Sequence, residues 1–148
     1  TCHAARYIAR WIGIDFGKVR TGLAFTDGNA RIAFPHETVQ TVHLLKALES
    51  LVKAEACAGF ALGMPDAWSS FQAQETDSTQ AILALQSDLQ KKWPDLPVPL
   101  VDESFTSREA RFSMVQGGMK KKKREEKGAM DRVAAALILQ RFLETLDN

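Results

Sequence analysis

The stretch from Trp11 to Asp27 constrains the fold of this chain more than any other. Two apolar, β-prone runs, Trp11 to Phe16 and Thr21 to Thr26, flank a short turn at Gly17 and Lys18, a pattern that predicts a hairpin of two buried strands. One carboxylate, Asp15, lies inside the first run. An ionised Asp in a sheet is costly to bury unless a cation or a set of donors meets it. A bound metal ion satisfies that demand. So do the amides of Lys18 and Val19, which would make Asp15 a residue that fixes the hairpin. The hairpin alone leaves both roles open.

The rest of the chain follows a βββαβαβα order. Tyr7 to Phe16 reads as a first strand and Thr21 to Asp27 as a second, with Asp27-Gly28-Asn29 as the next turn. Arg31 to Phe34 reads as a short third strand, stopped by Pro35 and therefore at an edge. From Val42 the period changes to a helical one, with Leu44, Leu45, Leu48, Leu51 and Val52 on one stripe. Cys57 to Met64 is a continuous apolar run, the pattern of a strand covered on both faces and entered by a helical crossover, which implies parallel pairing. A polar and aromatic loop, Pro65 to Thr76, leads to a second helix over Thr79 to Trp93. Val98 to Glu103 reads as a fifth strand. Thr106-Ser107-Arg108-Glu109 matches a capping box that opens a third helix, ended by Gly117-Gly118. Ala129 to Leu146 reads as a long final helix with Asp131 in its first turn, where the helix dipole alone would favour a carboxylate. The expected architecture is one α/β domain over residues 1–148, a mixed five-stranded sheet with helices on both faces.

Composition narrows the classes. With 148 residues and 45% apolar content, the chain supports one core and not two nucleotide-binding lobes. The two cysteines, Cys2 and Cys57, make no disulfide framework, no apolar run reaches ~18 residues, and no export signal is evident, so the expected location is cytoplasmic, with no membrane partner. Charge is distributed unevenly. Between Gly118 and Gly128 six cations (Lys120, Lys121, Lys122, Lys123, Arg124 and Lys127) face two carboxylates (Glu125 and Glu126), a local +4 against +1 for the whole chain. The remainder is a mildly acidic body at −3. Successive cations of this kind suit a phosphate backbone.

Three carboxylates matter together: Asp15 ending the first strand, Glu103 ending the fifth, and Asp131 opening the last helix. If strands one, four and five run parallel, Asp15 and Glu103 emerge at one edge, and a helix packed over that edge brings Asp131 to meet them. Converging carboxylates repel unless divalent cations neutralise them, and hard oxygen ligands with open positions suit Mg²⁺ or Mn²⁺. Such a centre serves phosphodiester hydrolysis, with two cations about 4 Å apart. Asp27 and Asp102 are further carboxylates whose part in it the spacing leaves open.

The ordered set of Gly13-Ile14-Asp15-Phe16-Gly17, Arg20-Thr21-Gly22-Leu23-Ala24, Thr26-Asp27, Gly63-Met64-Pro65, Asp102-Glu103, and Met130-Asp131 with Ala134-Ala135 and Ile138-Leu139-Gln140 resembles the YqgF family. The resemblance covers nearly the whole chain. It implies a ribonuclease H-like fold, kinship with Holliday-junction resolvases, and a metal-dependent nuclease that matures the 5′ end of the precursor of small-subunit (16S) ribosomal RNA. It also implies that Asp15, Glu103 and Asp131 are the catalytic, metal-binding acids and that Arg20 is the family's strand-turn arginine, expected on the substrate; the charge asymmetry, not the resemblance, adds Lys120, Lys121, Lys122, Lys123 and Arg124 as substrate-binding cations. Two positions depart from the pattern. Ser104 stands where many members carry Arg, which removes a phosphate contact, and the loop after Pro65 lacks a glycine often found there.

Two other classes share parts of this reading. The hairpin also resembles the phosphate-binding element of actin-like ATPases and sugar kinases, which need a second lobe. A non-catalytic nucleic-acid or ribosome-associated factor is the other, and retention of all three acids argues against it. RNA and branched DNA both stand as substrates. His3, His36 and His43 share no ligand spacing and read as surface histidines; Trp11 and Trp93 read as core. Trp68 and Phe71 either stack on a base or cover the core.

Overall fold

A computed structural model of the chain describes residues 9–27, 32–64, 77–102 and 128–146. Its elements are β1 (Arg10–Asp15), β2 (Arg20–Thr26), β3 (Ala33–Gln40), a 3₁₀ turn (Thr41–His43), α1 (Leu44–Ala54), β4 (Cys57–Met64), α2 (Asp77–Lys92), β5 (Leu100–Asp102) and α3 (Ala129–Leu146). The five strands form one mixed sheet in the order β3-β2-β1-β4-β5. The hairpins β1–β2 and β2–β3 are antiparallel, and β1–β4 and β4–β5 are parallel. The C-terminal ends of β1, β4 and β5 therefore share one edge of the sheet, as the parallel crossovers require.

Alternation along the strands divides the core. Ile12 and Ile14 of β1, Leu23 of β2, and Phe60, Leu62 and Met64 of β4 pack with Leu44 and Leu48 of α1 and with Ile82, Leu85 and Leu89 of α2. On the other face, Ala24, Ala61 and Val101 meet Ala135, Ile138, Leu139, Phe142 and Leu143 of α3. The central strand β4 is thus covered on both sides, which is why it reads as an unbroken apolar run. Trp11 closes the far end of the α3 face, its ring 4.5 Å from that of Phe142. Trp93 packs against Phe60 on the opposite face at 5.3 Å. His36 and His43 are exposed.

β3 differs from its expected form. It does not stop at Pro35 but runs through it to Gln40. Pro35 lies opposite Ala24, and the register slips there: Leu23 pairs with Glu37 and Ala24 with Pro35, so His36 is an extra, bulged residue. An edge strand with a bulge is where a residue lacking an N–H is tolerated, so proline marks the edge and not the end of the strand. β1 starts at Arg10, after the expected Tyr7, and ends at Asp15, one residue before Phe16. β5 (Leu100–Asp102) begins at Leu100 and not at the expected Val98, because Pro97 and Pro99 keep the chain before it from donating to a ladder, and Glu103 lies outside the described residues. Their carbonyls are still used, accepting from the amides of Phe60 and Leu62 at 3.0 Å. The expected third helix from Ser107, the loop with Trp68 and Phe71, and Ser104 lie outside the described residues.

Candidate active site

Asp15, the last residue of β1, has Gly22 as its cross-strand partner. Directly opposed residues of an antiparallel pair point to the same face, with Cα atoms about 4.5–5.5 Å apart. A Cβ built on Gly22 would collide with the carbonyl oxygen of Asp131 and lie 2.8 Å from the amide nitrogen of Arg132. The first turn of α3 therefore rests directly on Gly22, beside Asp15. Two residues earlier on the same face, a Cβ on Gly13 would come within 2.7 Å of both the Ala135 carbonyl oxygen and the Leu139 Cβ. Gly13 and Gly22 give the sheet a surface without side chains on which the helix backbone can settle. In this way, sequence positions 15 and 131 come to one place.

Arg20 opens β2 at the same edge, and its Nε donates to Asp131 Oδ2 at 3.1 Å. The two side chains retain 40% and 27% of their exposure, so water screens the pair, and its main effect is to orient the carboxylate. Two further bonds seat α3. The hydroxyl of Thr38 on β3 donates to the Gly128 carbonyl at 2.5 Å, just before the helix starts. Arg141 Nη1 donates to the Asp102 carbonyl at 2.7 Å.

The turn after Asp15 is fastened by a threonine pair. Thr41 Oγ1 donates to the Gly17 carbonyl at 2.5 Å, and its amide donates to the Val19 carbonyl at 2.9 Å. With its own proton committed to Gly17, the Thr41 hydroxyl accepts from Thr21 Oγ1 at 2.8 Å. Thr21 is fully buried, and this bond satisfies a hydroxyl that would otherwise be costly there.

Of the residues expected at the site, Asp15, Arg20 and Asp131 converge at the edge where β1 ends and β2 begins. Glu103 and the run Lys120, Lys121, Lys122, Lys123 and Arg124 lie outside the described residues. Asp27 follows the opposite end of β2 and accepts from the Ile32 amide at 3.3 Å, so it belongs to the far side of the sheet. Among the described residues no three His, Cys, Asp or Glu side chains come together. Among the described residues the candidate donors are the carboxylates of Asp15 and Asp131, with Asp102 at the end of β5, two strands from β1, and Cys57 is in β4 at the end away from them. Such a set is chemically fit for a hard divalent cation and unfit for a soft one. Thr41, Thr38 and Arg141 escape sequence reasoning: a threonine after a strand and an arginine late in a helix have no distinguishing pattern.

A model of the family described as RuvX, Holliday junction resolvase, matches residues 9–145. The chain belongs to the RuvX family. A protein of Christiangramia forsetii named "Putative pre-16S rRNA nuclease" is 40% identical over 136 residues, covering 92% of this chain and 98% of its own. One of the same name from Phocaeicola vulgatus is 39% identical over 138 residues, covering 93% and 97%. Among solved structures, fowlpox virus resolvase in complex with Holliday junction DNA superposes with a TM-score of 0.60 at 11% identity, over 94% of this chain and 99% of that one. RuvC of T. thermophilus in complex with a Holliday junction gives 0.56 at 16% identity, over 95% and 96%. These likenesses show that the chain has the ribonuclease H-like fold. No helix among the described residues is long and apolar enough to cross a membrane.

Proposed function

We propose that this RuvX-family chain is a divalent-metal-dependent nuclease that hydrolyses phosphodiester bonds in the 5′-end maturation of precursor 16S rRNA. Its family and its relatives support a hydrolase acting on nucleic acid. The observation that carries the site assignment is the seat of α3 on Gly22, which sets Asp131 beside Asp15. Asp15, Asp131 and, one peptide bond beyond Asp102, Glu103 would hold Mg²⁺ or Mn²⁺. Bound there, the cation supplies Lewis acidity and neutralises charge at the scissile phosphate.

The chain's own residues do the rest. Arg20 steers the Asp131 carboxylate with one of its five N–H donors, which leaves the guanidinium able to meet a phosphate oxygen as well. Thr41 holds the turn that follows Asp15, keeping the carboxylate at a fixed exit from the sheet. Lys120, Lys121, Lys122, Lys123 and Arg124 supply cations against the acidic body, so that a phosphate backbone is drawn to this part of the chain. A sheet edge with fixed carboxylates and an arginine, in a chain that also carries a basic segment, suits phosphodiester hydrolysis.

The test is a cleavage assay on the 5′ segment of precursor 16S rRNA beside a four-way DNA junction, each with Mg²⁺ and with Mn²⁺. Metal-dependent cleavage confined to the RNA supports the proposal. Cleavage of the junction alone replaces it with a DNA resolvase. Failure to cut either under any metal contradicts catalysis.

A further inference from the structure

Beside the Arg20–Asp131 pair, on the outer side toward the sheet edge, a pocket of about 230 Å³ is lined by Val19, Arg20, Thr38, Val39 and Gln40. Sites for whole small-molecule ligands begin at about 300 Å³. This one has room for part of a chain. Arg20 belongs both to this pocket and to the acid pair, so whatever fills the pocket is continuous with a phosphate at the acids.

Three features give the pocket its chemistry. Val19 is 71% exposed at the tip of the β1–β2 turn, although nothing in the hairpin requires an apolar side chain there. Gln40 ends β3 opposite Arg20 and precedes the 3₁₀ turn, yet its side chain makes no capping bond, and among the described residues its amide has no partner. Thr38, by contrast, is committed to the Gly128 carbonyl and forms a fixed wall. An exposed aliphatic surface, an uncommitted amide and a guanidinium within one small pocket match a nucleotide: the apolar surface for a base or ribose face, the amide for a base edge, and the cation for the phosphate.

We propose that this pocket takes one unpaired nucleotide next to the scissile phosphate, with Val19 against its base and Gln40 reading the base edge. The side-chain amide of Gln matches the adjacent acceptor and donor of adenine, N7 and the N6 amino group, so adenine is the preferred base. Sequence-specific recognition of RNA relies on such splayed, unpaired bases. The subsite deepens the nuclease reading and rests on it only for the position of the scissile phosphate.

The test uses the full chain with EDTA present, so that binding is separated from cleavage. Octa-adenylate, octa-cytidylate and octa-uridylate RNA are titrated by fluorescence anisotropy, with NMR of the Val19 methyls and the Gln40 side-chain amide. The expected result is at least fivefold tighter binding of octa-adenylate, with shifts at both residues. In Gln40→Ala, whose side chain is exposed and supports no packing, the spread should fall to within about twofold. Equal affinities for the three strands, or binding without shifts at Val19 and Gln40, overturns the subsite, even if the enzyme cleaves RNA with metal. Base-ranked binding with these shifts but no cleavage of any substrate upholds the subsite and overturns the nuclease reading.

Discussion

Arg20 and Asp131, 111 positions apart, meet through a 3.1 Å bond between Nε and Oδ2, at the edge where Asp15 leaves the sheet. Because both partners are partly exposed, removing the pair should change stability by no more than about 1 kcal/mol. Its effect on activity should be far larger, since a misplaced carboxylate disturbs the whole acid set. Arg20→Ala is therefore expected to keep its melting temperature within a few degrees while initial cleavage rates fall at least tenfold. Arg20→Lys, which keeps the charge but loses the planar fork, should recover only part of the rate. A variant that cleaves at the wild-type rate would mean the pair is ornamental.

Gly22→Ala tests the seat of α3. Its new methyl would occupy the position of the Asp131 carbonyl oxygen, so either the helix or the strand must move. Overpacking of this kind typically costs about 1–3 kcal/mol. Urea unfolding should show that loss, and cleavage should disappear even where the variant is fully folded, because Asp131 is displaced from Asp15. A folded Gly22→Ala variant with normal activity would sever the link between the seat and the site.

Much of the frame is legible from pattern. The hairpin around Asp15, the helical stripe of α1, the buried run of β4 and the limits of α3 all follow from periodicity, because each is driven by local burial. Contacts between distant elements are not legible in the same way. Gly13 and Gly22 stand inside strand runs, and nothing local reveals that a helix backbone over a hundred positions later will lie on them. Pro35 reads as a strand terminator, because its fixed ring signals a break unless one knows that the strand is an edge with a bulge at His36. Thr41 and Arg141 act on backbone carbonyls of distant elements, and no spacing rule encodes such bonds.

The basic segment should act on affinity and not on folding. Replacing Lys121, Lys122 and Lys123 together by Gln should weaken binding to all sequences alike, because phosphate contacts carry no base information. Each lysine that neutralises a phosphate should, once replaced, flatten the slope of log affinity against log salt by roughly 0.7 for single strands or 0.9 for duplex. Anisotropy titrations at several salt concentrations measure this directly. An unchanged slope would move the clamp to other cations, with Arg20 and Arg108 tested next.

Burial pushes the Cys57 thiol up from its ordinary value, with the Gly59 backbone and then Arg10 offsetting part of the shift. The folded state therefore holds this proton to higher pH than the unfolded chain does. Stability from this group is intact below the unfolded thiol's pKa and is lost as pH rises from there through the folded value. Denaturant midpoints measured from neutral to alkaline pH should thus fall more steeply for the wild type than for Cys57→Ala. Parallel curves would show that Cys57 titrates alike in both states.

The most direct measurement of the central claim is metal-dependent cleavage of the precursor 16S rRNA 5′ segment by Asp15→Asn, compared with wild type in the same Mn²⁺ and Mg²⁺ titrations. The substitution keeps the side chain's shape and removes its charge. If Asp15 works with Glu103 and Asp131 as one metal-holding unit, cleavage is lost at every metal concentration while RNA binding persists, and adding Asp131→Asn costs little more. Wild-type cleavage by Asp15→Asn, with an unshifted metal titration, would contradict the assignment and reduce Asp15 to a residue that fixes the hairpin.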